Sequence, residues 1–102
     1  MTTNAKIKKL IDDNEVLLFM KGNPTFPQCG FSSVACQVLG SLDTSFETVD
    51  VLQDPEIREG IKIYSNWPTI PQLYIRGEFI GGADIIRELY ESGELAKTIS
   101  KE

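Results

Sequence analysis

Five consecutive apolar residues, Val16-Leu17-Leu18-Phe19-Met20, constrain the fold of this chain most. Apolar and polar residues do not alternate in the run, so it reads as a β-strand buried on both faces. A strand of that kind belongs in a sheet with helices packed on both sides. The flanking periodicity agrees. Ile7, Leu10 and Ile11 follow helical spacing after Thr3 and Asn4, predicting a first helix that ends near Asn14. Phe31, Val34, Ala35, Val38, Leu39 and Leu42 step by three and four, predicting a second helix with one apolar face. At 100° per residue Cys29 and Cys36 fall off that face, on a common flank.

Between these elements, Lys21-Gly22-Asn23-Pro24-Thr25-Phe26-Pro27 is too rich in Pro and Gly for regular structure and reads as a loop. Phe46 to Val51 reads as a second strand. Asp54-Pro55 opens a third helix, with Asp as N-cap and Pro at the first helical position. Ile57, Ile61 and Tyr64 carry its buried face, which leaves Arg58 and Lys62 together on another side. Gln72–Ile75 and Glu78–Ile80, joined by Arg76-Gly77, give a hairpin signal. Gly81-Gly82-Ala83-Asp84 opens a fourth helix carrying Ile85, Ile86 and Leu89, Gly93 ends it, and Leu95 and Ile99 suggest a short terminal helix. The order α-β-α-β-α-β-β-α predicts one α/β domain spanning residues 1–102, a four-stranded mixed sheet flanked by helices on both faces.

Bulk properties narrow the function classes. The chain has 102 residues, 41% hydrophobic and 25% charged, the balance of an ordinary globular domain. No apolar run exceeds the five residues of the first strand, so no membrane helix is expected. A formal charge of −5 without a basic stripe argues against nucleic-acid binding; Lys6, Lys8 and Lys9 read as the solvated face of the first helix. Met1 to Lys6 lacks the apolar stretch of a secretory signal. The two cysteines, Cys29 and Cys36, lie seven apart on one predicted helix, about 10.5 Å at 1.5 Å per residue. They cannot bridge while that helix is intact. A chain without a structural disulfide fits a reducing compartment, so a cytoplasmic location is expected.

The absence of histidine excludes any Cys-His catalytic pair and every His-containing metal site. Cys29 sits where a loop gives way to a helix, with Lys21 just upstream. Unpaired N–H groups and the macrodipole favour the thiolate there. Position 32, which would hold the second sulfur of a C-x-x-C pair, is Ser, so what completes the chemistry must come from elsewhere. Cys36 reads as a partly buried, inert thiol. Lys21 and Arg58 could clamp a carboxylate, though each alone also reads as a solvated or surface-paired cation. Thr69-Ile70-Pro71 could expose backbone for pairing or be an ordinary turn into the hairpin. Gly82-Ala83-Asp84 offers N–H groups at a helix start with an acid beside them, or else a plain Asp N-cap. Together these features describe a groove for a small zwitterionic peptide with carboxylates at both ends and a sulfur in the middle.

In order and spacing, Lys21-Gly22, Cys29-Gly30-Phe31-Ser32, Asp54-Pro55…Arg58…Gly60…Lys62, Trp67-Pro68-Thr69-Ile70-Pro71 and Gly81-Gly82-Ala83-Asp84 resemble the monothiol glutaredoxins of the CGFS type. The resemblance covers almost the whole chain. It implies a thioredoxin-like fold with a cis-Pro at Pro71, and glutathione as the peptide. Carried over by position, it implies that Lys21 and Arg58 hold the glycine carboxylate, Ile70 pairs through its backbone with the cysteinyl part, and Ala83 and Asp84 bind the γ-glutamyl end. Many relatives have Cys where this chain has Ala83; a backbone contact survives that change, whereas accessory thiol chemistry does not.

A [2Fe-2S] cluster takes four thiolates, and Cys29 is one. Two chains and two glutathiones complete the count, so the resemblance implies a cluster-bridged homodimer with Cys29 as metal ligand. Such a protein would act in iron–sulfur assembly, transfer or iron homeostasis, with BolA-like proteins and iron–sulfur acceptor apoproteins as partners. Two other functions stay open. One is an enzyme, weak at most, that removes glutathione from mixed disulfides with Cys29 alone; the other is a docking module with cluster chemistry secondary.

Overall fold

Alternation along the apolar run builds the molecule. In the computed structural model, which describes residues 1–100, Val16–Met20 forms β1 and is buried throughout. Val16, Leu18 and Met20 enter one core with Ala35, Leu39, Leu73 and Ile86, whereas Leu17 and Phe19 enter another with Ile7, Ile61 and Tyr74. β1 pairs in parallel with β2 (Glu47–Asp50) and antiparallel with β3 (Gln72–Ile75), and β3 pairs antiparallel with β4 (Glu78–Gly81). The strand order is β2-β1-β3-β4. Helices α1 (Thr3–Asp13) and α3 (Pro55–Ser65) cover one face, α2 (Gly30–Ser41) and α4 (Ala83–Ser92) the other, and α5 (Glu94–Ser100) packs on α4. This is the expected mixed sheet with helices on both faces, in thioredoxin-like arrangement.

Local chemistry sets the element ends. The Asp54 carboxylate accepts from the N–H groups of Glu56 and Ile57 at 3.1 and 3.2 Å, with Pro55 at the first helical position of α3. Arg76 and Gly77 both take positive φ, 48° and 84°, the requirement of a two-residue hairpin turn whose twist matches its strands. Lys8 and Lys9 reach Asp12 and Asp13 along the outer face of α1, and Lys6 reaches Asp54, a solvated face as expected.

Three expectations are corrected. Val51 leaves the second strand for a 3₁₀ turn, Val51–Gln53, because the Asp50 carboxylate accepts the Leu52 N–H at 2.9 Å and caps it. Phe31 is 62% exposed rather than part of the apolar face: the buried stripe of α2 runs through Ser32, Ala35 and Leu39 instead. Cys36 is not on a flank: the buried stripe of α2 is broad enough to take in Ser32, Ala35, Cys36, Val38 and Leu39. Its Sγ lies 3.3 Å from Met20 Sδ.

Candidate functional site

Cys29 is the N-cap of α2, in extended backbone, and its sulfur accepts the N–H of Ser32 at 3.3 Å. That is the capping geometry usually made by a serine or aspartate oxygen, here made by sulfur. Ser32 is fully buried, and its Oγ accepts the Lys21 N–H at 3.1 Å, which leaves its own hydrogen for the sulfur 3.3 Å away. Partial burial pushes the Cys29 thiol up, but the Ser32 hydroxyl, the N–H groups of Ser32 and Phe31, and the Lys21 ammonium outweigh it. The net pKa is below the ordinary 9.0. Ser32 was legible in the sequence only as a missing second cysteine. Its position three residues after a cap was the overlooked signal.

The loop before Cys29 is tightly folded despite its Pro and Gly content. Gly22 bridges Pro27, Gln28 N–H reaches Lys21 O at 2.9 Å, and the Asn23 side-chain Oδ1 accepts from the N–H groups of Thr25 and Phe26. Asp50, at the end of β2, accepts the Gly22 N–H at 2.9 Å. Gly22 has φ 84°, and a Cβ there would come within 2.7 Å of Gln28 N, so the loop closes only on glycine.

An open groove of about 410 Å³ takes in Lys21 and Phe31, which flank Cys29 in the sequence. Trp67 to Pro71 form one wall, Gly82 to Ile85 at the start of α4 form another, and Lys21, Lys62 and Phe31 complete it. The Ile70–Pro71 bond is cis, as the resemblance implied. Ile70 buries its side chain, and among the described residues neither its N–H nor its C=O enters a loop or turn hydrogen bond of the backbone. A Cβ on Gly82 would lie 3.3 Å from Trp67 Nε1 and 3.4 Å from Pro71 O, so glycine lets these two walls approach. Gly82 is the N-cap of α4 and offers no side chain to the first-turn N–H groups, while Asp84 stands exposed within that turn. Asp84 is therefore not the N-cap. The groove has cations at one side and free N–H groups with a carboxylate at the other.

Of the expected residues, Lys21, Ile70, Ala83 and Asp84 line the groove; Cys29 is not among the lining residues and is joined to them through Ser32, whose Oγ lies between the sulfur and the Lys21 N–H. Arg58 is not among the lining residues. It lies on α3, and among the described residues its buried Nε has no hydrogen-bond partner. Lys62, to which the resemblance gave no role, lines the groove, with Nζ 3.2 Å from Glu59. The third helix places Arg58 and Lys62 on one side, one turn apart, and spacing alone could not tell which reaches the groove.

Residues 16–80 match the glutaredoxin family. An uncharacterized monothiol glutaredoxin, ycf64-like, from Synechocystis is 57% identical over 97 residues, 95% of this chain and 91% of that protein. The solution structure of reduced poplar apo GrxS14 superposes with a TM-score of 0.83 at 50% identity, covering 95% of this chain and 89% of that one. A buckwheat glutaredoxin–glutathione complex shares the fold, with a TM-score of 0.86 at 22% identity over 97% of this chain and 88% of that one. A match running through most of the sheet, to monothiol relatives sharing half or more of its residues, places the chain in the glutaredoxin family, among the monothiol glutaredoxins.

Proposed function

We propose that this glutaredoxin binds glutathione in the groove and, as a homodimer, carries a [2Fe-2S] cluster held by Cys29 and glutathione. The observation that carries the reading is a single thiol with a lowered pKa, joined through Ser32 to a groove with opposite polarity at its two sides. Among the described residues no three metal-ligating side chains gather, so each chain offers Cys29 as its cluster ligand. A soft thiolate suits iron–sulfur chemistry, and four sulfurs are needed. Two chains and two glutathiones supply them.

In this reading Lys21 and Lys62, with Arg58 one turn before Lys62, attract the glycine carboxylate. Ile70 pairs through its backbone with the cysteinyl residue. The N–H groups around Ala83 take the γ-glutamyl carboxylate, and Asp84 takes its ammonium. Ala83 serves through its backbone, so the absence of a thiol there leaves binding intact. Because two of the four cluster sulfurs belong to an exchangeable peptide, the cluster is cargo, suited to hand-over to acceptor apoproteins, and BolA-like proteins are proposed partners at the same face. A reducing compartment such as the cytoplasm keeps both thiols free.

A second reading rests on the same lowered Cys29 pKa. The thiolate attacks the glutathione sulfur of a mixed disulfide and expels the protein thiolate. A second glutathione thiolate then attacks the Cys29 adduct, giving glutathione disulfide and free Cys29. Anaerobic reconstitution with iron, sulfide and glutathione separates the two. Visible sulfur-to-iron charge-transfer bands that require glutathione support the carrier. Robust deglutathionylation with no such bands supports the enzyme.

A further inference from the structure

The strand that follows the groove wall carries one residue out of keeping with its surroundings. β3 is buried along its length as Gln-Leu-Tyr-Ile, and Gln72 is fully buried at its start, paired in register with Phe19. Burying a primary amide is unfavourable unless its donors and acceptor are met. Here they are. The Gln72 amide nitrogen donates to Trp67 O at 3.1 Å and to Thr69 O at 3.2 Å, and its oxygen accepts from the Tyr74 hydroxyl at 3.3 Å. The Tyr74 side chain is itself buried among Phe19, Tyr64 and Phe79.

Both carbonyls held by Gln72 belong to the groove wall, and they bracket Pro68. Turned inward to the amide, they fix the course of the chain into Ile70. The same grip seats the Trp67 ring, which packs on Phe79 with centroids 5.9 Å apart and meets Gly82 across the groove. A leucine or methionine would fill the site without these bonds and would leave two carbonyls unpaired beneath the wall.

We propose that Gln72 is a positioning residue: anchored in the sheet and oriented by Tyr74, it holds the Trp67–Ile70 backbone in the conformation that receives glutathione. The inference rests on the glutathione reading above. It separates the site into the groove wall set by Gln72 and the Cys29 cap on α2, to which Gln72 makes no hydrogen bond.

Calorimetric titration of reduced glutathione under anaerobic conditions tests it on wild type, Gln72→Met and Gln72→Glu. Fluorescence of Trp67, the single tryptophan, serves as a second readout. Both substitutions keep the size of the side chain and remove the double donor. Each is expected to weaken binding on the order of tenfold and to shift Trp67 emission, while the iodoacetamide rate of Cys29 stays at the wild-type value. A merely structural role would lower the unfolding temperature without changing the affinity of the folded protein. Wild-type affinity in either folded variant overturns the inference, as does an equal loss of Cys29 reactivity. Should Gln72→Met fail to fold, Gln72→Glu decides; should both fail, Tyr74→Phe decides, and unchanged affinity and Trp67 emission in it overturn the inference. Absence of glutathione binding in the wild type instead overturns the functional reading.

Discussion

Cys29 and Cys36 lie seven residues apart at the cap and in the middle of one helix, and their chemistry differs in sign. The cap residue is partly exposed, and its sulfur receives hydrogen bonds that favour the anion, so its pKa falls. The interior residue faces Met20 in the core beneath the sheet, and burial alone pushes its thiol up. Helix identity says nothing about reactivity. What decides is whether the sulfur meets free N–H groups at the helix start or hydrocarbon along its buried stripe.

The largest expected effect separates the two sulfurs outright. Cys29→Ser should abolish cluster assembly in anaerobic reconstitution, whereas Cys36→Ala should retain the charge-transfer bands and lose only about 1 kcal/mol of stability by denaturant unfolding. Loss of the bands in the Cys36 variant alone would reverse the assignment.

Native alkylation sharpens the contrast. Cys29 should react with iodoacetamide below the pH range of an ordinary thiol, and Cys36 only once the protein is unfolded, as peptide mass spectrometry can read. The linkage has opposite signs. The depressed Cys29 pKa contributes stability that is full above the ordinary 9.0 and is lost as pH falls through the folded value. The raised Cys36 pKa contributes stability that is full below 9.0 and is lost as pH rises through its folded value. Cys36→Ala should therefore remove part of the alkaline decline in unfolding free energy, and Cys29→Ala should leave that decline in place.

Ser32→Ala removes the hydroxyl that faces the Cys29 sulfur and leaves the contact of Cys36 with Met20 in place. Alkylation of Cys29 at neutral pH should slow roughly tenfold, the worth of one hydrogen bond to a charged group at about 1.5 kcal/mol. An unchanged rate would mean that the helix start suffices without the hydroxyl. The smallest effect concerns the groove cations. Lys62→Ala should weaken glutathione binding about threefold, since Nζ is partly exposed and already shared with Glu59. Wild-type affinity would take Lys62 out of the site.

Much of this was legible in the residues, because local signals and burial agree there. Val16–Met20 could only be a covered strand, Asp54-Pro55 could only start a helix, and Arg76-Gly77 had the turn its φ values demand. Cys29 at a helix start followed from the loop before it. The misses share a cause: they depend on which side of an element meets another. Periodicity placed Phe31 on the apolar face and Cys36 off it, and the position of α2 over the sheet reversed both. Lys62 and Arg58 share one side of α3, and only the approach of the Trp67 wall decides which lines the groove. The role of Gln72 comes from contacts back to the Trp67–Thr69 loop, which no single-residue signal carries, whereas Ser32 meets Cys29 only three residues away, at a cap.

The central claim is that Cys29 gives one cluster sulfur per chain and glutathione the rest. Native mass spectrometry of the reconstituted protein, before and after glutathione is removed, tests it most directly. The expected species is two chains, one [2Fe-2S] cluster and two glutathiones, falling to folded apo monomer once glutathione is withdrawn. A cluster-bearing monomer, or a cluster-bearing dimer that holds no glutathione, would contradict the account.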